Sequence, residues 1–114
     1  MKTTEELIEI SENFSYFLNN TGDNEKLFAA HYEQVYQPGI FDTKTKRLMA
    51  LCGAITTGCL GCILGQTKQA IANGATKEEI LEACSVMASL GGTLACSEIA
   101  YVIQYLKEVG MIEE

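Results

Sequence analysis

A single proline, Pro38 beside Gly39, leaves long stretches on either side free of the strongest helix breaker. Helical spacing fills those stretches. Leu48, Leu51, Cys52 and Ile55 recur at i, i+3, i+4 and i+7, an apolar stripe on one face. Leu7, Ile8, Ile10, Phe14, Phe17 and Leu18 fall mostly on one side of a helix. Strand signals are missing: there is no long apolar–polar alternation and no hairpin turn between β-branched runs. The spacing predicts an all-α fold of about six short helices.

Local punctuation divides these helices. Thr3 with Glu6 reads as a capping box for the first, and Asn19-Asn20-Thr21-Gly22 stops it. Asp23 is the expected cap of the second, which carries Leu27, Phe28, His31 and Val35 and ends before Pro38. Asp42 or Thr43 caps the third, and Thr56-Thr57-Gly58 breaks it. Cys59-Leu60-Gly61-Cys62 opens a fourth helix that stops at Asn73-Gly74. Thr76 and Glu79 form a second capping box before a fifth, Gly91-Gly92 ends that one, and a last helix carries Ala95, Ile99, Val102, Ile103 and Leu106.

Without a repeat or a low-complexity linker, residues 1–114 read as one domain. Eight basic against fifteen acidic residues leave a net charge of −7. The one basic cluster is Lys44, Lys46 and Arg47, too little for a phosphate-binding surface, so nucleic acid is not an expected partner. No apolar run approaches the roughly 20 residues that cross a bilayer, so no membrane partner is expected. The polar, acidic opening has none of the pattern of a secretory signal, and a cytoplasmic location is expected. There is no Gly-x-Gly-x-x-Gly, no P-loop and only one histidine, His31, so neither a nucleotide cofactor nor a histidine-rich metal site is expected. Between Ile80 and Ile103 the only charged residues are Glu82 and Glu98. So apolar a stretch predicts a homo-oligomer that covers the surplus face.

Five cysteines divide into two kinds. Cys52, Cys84 and Cys96 lie within apolar helical stripes and are expected in the core. Cys59 and Cys62 lie in the break between two helices, flanked by Gly58 and Gly61. A helix N-terminus offers unpaired N–H groups and a positive dipole end, both of which favour thiolate over thiol. The i, i+3 spacing puts both sulfurs on one face, near enough to close a disulfide. A dithiol so placed can attack a peroxide or disulfide with one sulfur and resolve the product with the other. A zinc site shared between subunits, or an inert structural pair, are the alternatives.

The segments from Phe41 to Leu51, Gly58 to Ile63 and Ala70 to Ala83 resemble the alkylhydroperoxidase D / carboxymuconolactone decarboxylase family, with the likeness strongest over residues 41–83. The resemblance implies an all-α fold that assembles as trimers or hexamers. It also implies thiol-dependent peroxidase or disulfide-reductase chemistry where the cysteine pair is kept. Cys62 would then attack the peroxide and Cys59 resolve it, with electrons from a dithiol carrier such as a lipoyl group.

The site departs from the family pattern at two positions. Active peroxidases of the family have a glutamate twelve residues before the first cysteine and a histidine four residues after the second. Here those positions hold Arg47 and Gln66. Gln66 falls on the same helical face as both sulfurs but cannot titrate. General acid–base assistance is typically worth about 10²–10⁴-fold. Arg47 either directs its fixed charge at the pair or stands solvated on the helix flank. His31 could replace the missing relay from another segment, but its local spacing reads as an ordinary helical histidine. Tyr101, Tyr105 and Glu98 are further candidates for the same cavity. The expected activity is reduction of peroxides or small disulfides through Cys59 and Cys62, supported by Gln66 and Arg47. The alternatives are a non-catalytic oligomeric redox sensor or scaffold, and a lactone decarboxylase-like enzyme.

Overall fold

The residues that punctuate the sequence also mark the ends of the elements in a computed structural model describing residues 2–113. Five helices follow one another: α1 (Thr3–Asn19), α2 (Asn24–Val35), α3 (Thr43–Thr57), α4 (Leu60–Ala72) and α5 (Lys77–Glu108). No strand occurs among the described residues. Asp42 caps α3, its side chain accepting from the Thr45 N–H at 2.7 Å. Thr76 and Glu79 form the reciprocal capping box of α5, with bonds of 3.1 and 2.9 Å.

Two expected caps are corrected. Thr3 is not the cap of α1; it is the first helical residue, after Lys2, which makes no side-chain cap bond. The first turn is capped from the far end of the chain: Glu108 accepts from the N–H groups of Thr3 and Thr4 at 2.9 and 3.0 Å and from both hydroxyls. Asp23 occupies the cap position of α2 but its side chain makes no cap bond there.

The sixth helix is present as the second half of α5. Gly92, with φ 63° and ψ −144°, breaks the helical geometry without a connecting loop, so the axis changes direction and continues to Glu108. Only glycine occupies that backbone region freely.

The core lies where α3, α4 and α5 meet. Leu51, Ile55, Ile63, Ile80, Val102 and Leu106 are fully buried there, each worth about 1.5–3 kcal/mol relative to exposure. A smaller cluster of Leu7, Leu64 and Tyr105 attaches α1 to α4 and α5. Only Leu7 and Leu18 of the apolar residues predicted for one side of α1 are buried; Ile8, Ile10, Phe14 and Phe17 are not. Ile10 and Phe14 instead stand over a cleft between α1 and α4.

α2 has no buried residue; its backbone packs against α1, and Lys46 of α3 bonds the Val35 carbonyl at its end. Cys84 is buried as expected and Cys52 partly so, but Cys96 is exposed, because its neighbour Ala95 takes the core-facing side of that turn. The 32-residue α5 also amends the expectation about membranes: by length and composition alone, this helix could cross one. Its Gly92 break and its buried Ile80, Met87, Ala95 and Val102 tie it to the core. Leu81, Val86, Leu90 and Leu94 remain exposed.

Candidate active site

Gly58 ends α3 in the left-handed conformation, with φ 69°. That turn lets the Cys59 N–H reach back to the Ala54 carbonyl at 3.2 Å while Cys59 begins the next helix. Cys59 is the N-cap of α4, and its Sγ accepts from the Cys62 N–H at 3.3 Å. The two α-carbons are 5.2 Å apart and the sulfurs stand at disulfide-bonding distance. Cys59 is half-buried and Cys62 exposed.

The pair opens onto a cleft of about 430 Å³. α1 supplies one wall with Leu7, Ile10, Ser11 and Phe14; α4 supplies the other with Cys59, Gly61, Cys62, Gly65 and Gln66; Tyr32 closes an end. Gly61 eases the close approach of α1: a Cβ there would stand 3.0 Å from Ile10 Cγ2, and the Ile10 side chain would have to shift by a few tenths of an ångström. The lining holds no carboxylate, imidazole or ammonium group. The polar atoms available are the two sulfurs, the Gln66 amide and the hydroxyls of Ser11 and Tyr32.

Gln66 stands where its spacing places it, on the face of the sulfurs and lining the cleft. Arg47 follows neither alternative. It is half-buried and not part of the cleft lining: its guanidinium carbon lies 3.5 Å from the centre of the Tyr36 ring, and its Nη1 donates to Gln66 Oε1 at 3.1 Å. Gln66 Nε2 in turn contacts the Tyr36 hydroxyl at 3.4 Å. The three residues form a closed arrangement behind the cleft wall.

Tyr36, together with Tyr32, is the site neighbour that sequence reading missed. The ring is held by its backbone: Thr43 Oγ1 donates to the Tyr36 carbonyl at 2.7 Å, and Lys46 Nζ bonds the carbonyls of Val35 and Gln37 on either side. The available signal was the i, i+4 pair Tyr32 and Tyr36, whose rings stack 5.9 Å apart.

The remaining candidates do not reach the cleft. His31 is exposed on α2 and lines a separate hollow with Phe28, Val35 and Tyr36. Tyr105 is buried against Leu7 and Leu64, and Tyr101 packs at the edge of the same cluster. Glu98 approaches Gly58, the residue before Cys59, but does not line the cleft. Two thiols outside the pair, Cys52 and Cys84, are held neutral. Burial raises Cys52, and burial followed by the proximity of Cys52 pushes Cys84 up to about 11. No group of three or more histidine, cysteine or acidic side chains suited to a metal ion occurs among the described residues.

The pattern that defines the carboxymuconolactone decarboxylase family matches residues 23–104. The chain belongs to the carboxymuconolactone decarboxylase family. Among its relatives, uncharacterized protein 4 in the cox locus of Paracoccus denitrificans is 35% identical over 82 residues, covering 72% of this chain and 74% of that protein. A family member from Legionella pneumophila shares the fold with a TM-score of 0.87 at 24% identity, over 94% of this chain and 96% of its own. A member from Thermotoga maritima, for which a part in the antioxidative response has been suggested, superposes with a TM-score of 0.80 at 28% identity, over 92% and 90% of the two chains.

Proposed function

We propose that this family member is a thiol-dependent oxidoreductase that reduces peroxides or small disulfides through Cys59 and Cys62. The observation that carries the reading is the pair itself: two sulfurs at bonding distance, at a helix N-terminus, on the rim of an apolar cleft. The antioxidative role suggested for the Thermotoga relative is consistent with it.

In the reduced protein the Cys62 thiolate attacks one peroxide oxygen. The O–O bond breaks, the alkoxide takes a proton and leaves as an alcohol, and Cys62 carries a sulfenic acid. The Cys59 thiol attacks that sulfur, releasing water and forming the disulfide. A dithiol donor of the lipoyl kind then restores both thiols. Cys62 is the better nucleophile by position because it is the more exposed, while Cys59 sits closer to the backbone that it caps. Gln66 offers a hydrogen bond in the cleft, and Arg47 orients it from behind. This chemistry needs a reducing compartment such as the cytoplasm. A homo-oligomer, trimeric or hexameric, would cover the exposed leucines of α5.

The redox-sensor reading has one observation in its favour: the cleft lining holds no group that titrates near neutrality to protonate a leaving alkoxide. Turnover and thiol counting separate the two. The reduced protein with a dithiol donor is expected to consume an organic hydroperoxide, Cys62→Ser to abolish that consumption, and mild peroxide to remove two of the five thiols. Consumption unaltered in Cys62→Ser overturns the proposal; a reversible Cys59–Cys62 disulfide without turnover supports the sensor.

A further inference from the structure

The three cations of the basic cluster are compensated differently. Lys44 is ion-paired with Glu79 at 2.8 Å. Lys46 is occupied by two backbone carbonyls, at 2.8 and 2.7 Å. Arg47 has no carboxylate partner among the described residues. Its contacts are a neutral amide and an aromatic face, and its Nε is shut off from solvent with no acceptor. A guanidinium offers five N–H donors in a planar fork matched to a carboxylate, and leaving one buried without an acceptor is costly.

Arg47 borders a polar hollow of about 430 Å³ together with Tyr32, Tyr36, Gln69 and Asn73. Glu33 also borders it but makes no ion pair with Arg47. This hollow adjoins the dithiol cleft. Tyr32 lines both, and Gln66, on the cleft wall, is the residue that holds Arg47.

We propose that Arg47 is a carboxylate-binding site and that the substrate of the dithiol is a small disulfide bearing a carboxylate. This deepens the oxidoreductase reading and rests on it. The anion takes the Nη donors of Arg47 that Gln66 leaves free, while the S–S bond lies in the cleft at Cys62. A disulfide suits this cleft better than a peroxide, because a thiolate leaves without needing a proton and the lining has no acid to give one. The Cys62 thiolate attacks one substrate sulfur, the substrate S–S bond breaks, and the first thiolate leaves. Cys59, as thiolate, attacks the mixed disulfide at the Cys62 sulfur and releases the second. Two electrons pass from the protein to the substrate, and the two thiolates take up the two protons that the cysteines gave up.

Two measurements test this. The first compares second-order rates of the reduced, Cys96→Ser protein with the dianionic dithiobis(nitrobenzoate) and the neutral dithiodipyridine. The ratio of anionic to neutral rates is expected to fall about 10- to 100-fold in Arg47→Gln, the loss of one charge-assisted contact, and to be partly restored in Arg47→Lys. Both rates falling by one factor, or neither changing, overturns the carboxylate site while leaving the dithiol reading intact. The second measurement does not use the thiols. In the Cys59→Ser/Cys62→Ser chain, benzoate is expected to shift the Arg47 Nε–H resonance saturably and benzamide to leave it in place. Absence of a saturable shift overturns the site. A saturable shift from benzoate in a protein whose reduced pair reacts with neither disulfide keeps the site and overturns the oxidoreductase reading instead.

Discussion

Glu108, at the C-terminal end of α5, caps the N-terminus of α1: its Oε2 accepts from the Thr3 N–H at 2.9 Å and its Oε1 from the Thr4 N–H at 3.0 Å. The hydroxyls of Thr3 and Thr4 donate as well, and Gln104 adds a fifth bond at 2.9 Å. The cap holds in place the helix that walls one side of the dithiol cleft.

Acid sensitivity follows from this cap. Burial works against the Glu108 charge, but the N–H groups of Thr4 and Thr3, the Gln104 amide and the Thr3 hydroxyl outweigh it, holding the carboxyl well below the usual range. The folded value lies under the unfolded one, about 4.3. The stabilisation is therefore complete above that pH and is lost as pH falls from there toward the folded value. Glu108→Gln is expected to lower Tm by several degrees at neutral pH and to flatten the loss of Tm in acid, read by circular dichroism from pH 7 to pH 3. Parallel acid curves for the two proteins would contradict the assignment.

Gly92→Ala should destabilise by about 1–3 kcal/mol, the usual cost of forcing a side chain into glycine-only backbone. Space is not the obstacle, since a Cβ there would meet nothing within 4 Å; the φ of 63° is. Urea unfolding measures this, and Gly53→Ala is the control, because that mid-helix glycine also has open space but no positive φ.

Thiol reactivity should sort the five cysteines by setting. At pH 8 a thiol near 11 is ionised in roughly one molecule in a thousand. Iodoacetamide is therefore expected to label the reduced pair and exposed Cys96 first, Cys52 later and Cys84 last, as followed by peptide mass spectrometry. Early labelling of Cys84 in the folded protein would show that it is not sealed in the core.

Gln66→His places an imidazole on the wall of the cleft. It is expected to raise hydroperoxide consumption about ten-fold or more by supplying the absent proton donor, with a pH profile that bends near the imidazole value. Arg47 loses its amide partner in this variant, so the same protein should bind benzoate differently. Unchanged peroxide turnover with a flat pH profile would show that proton delivery does not limit this site.

Much of this protein is legible in the bare chain. Asp42, Thr76 with Glu79, Gly58 and the stripe from Leu48 to Ile55 all act as their spacing says, because capping and helical faces are set by residues within a turn or two of one another. For the same reason the Cys59–Cys62 pair was placed at a helix start, with Gln66 on its face. Packing alone decided the rest. The cap of α1 joins residues 105 apart, the Gln66–Tyr36 contact joins residues 30 apart, and the Arg47–Gln66 bond joins residues 19 apart. No local rule brings such groups together; the angles at which α1, α3 and α4 meet do. That packing set Arg47 against Tyr36, left Ile10 and Phe14 over a cleft and exposed Cys96, because a helix's own sequence says which face is apolar but not what will cover it.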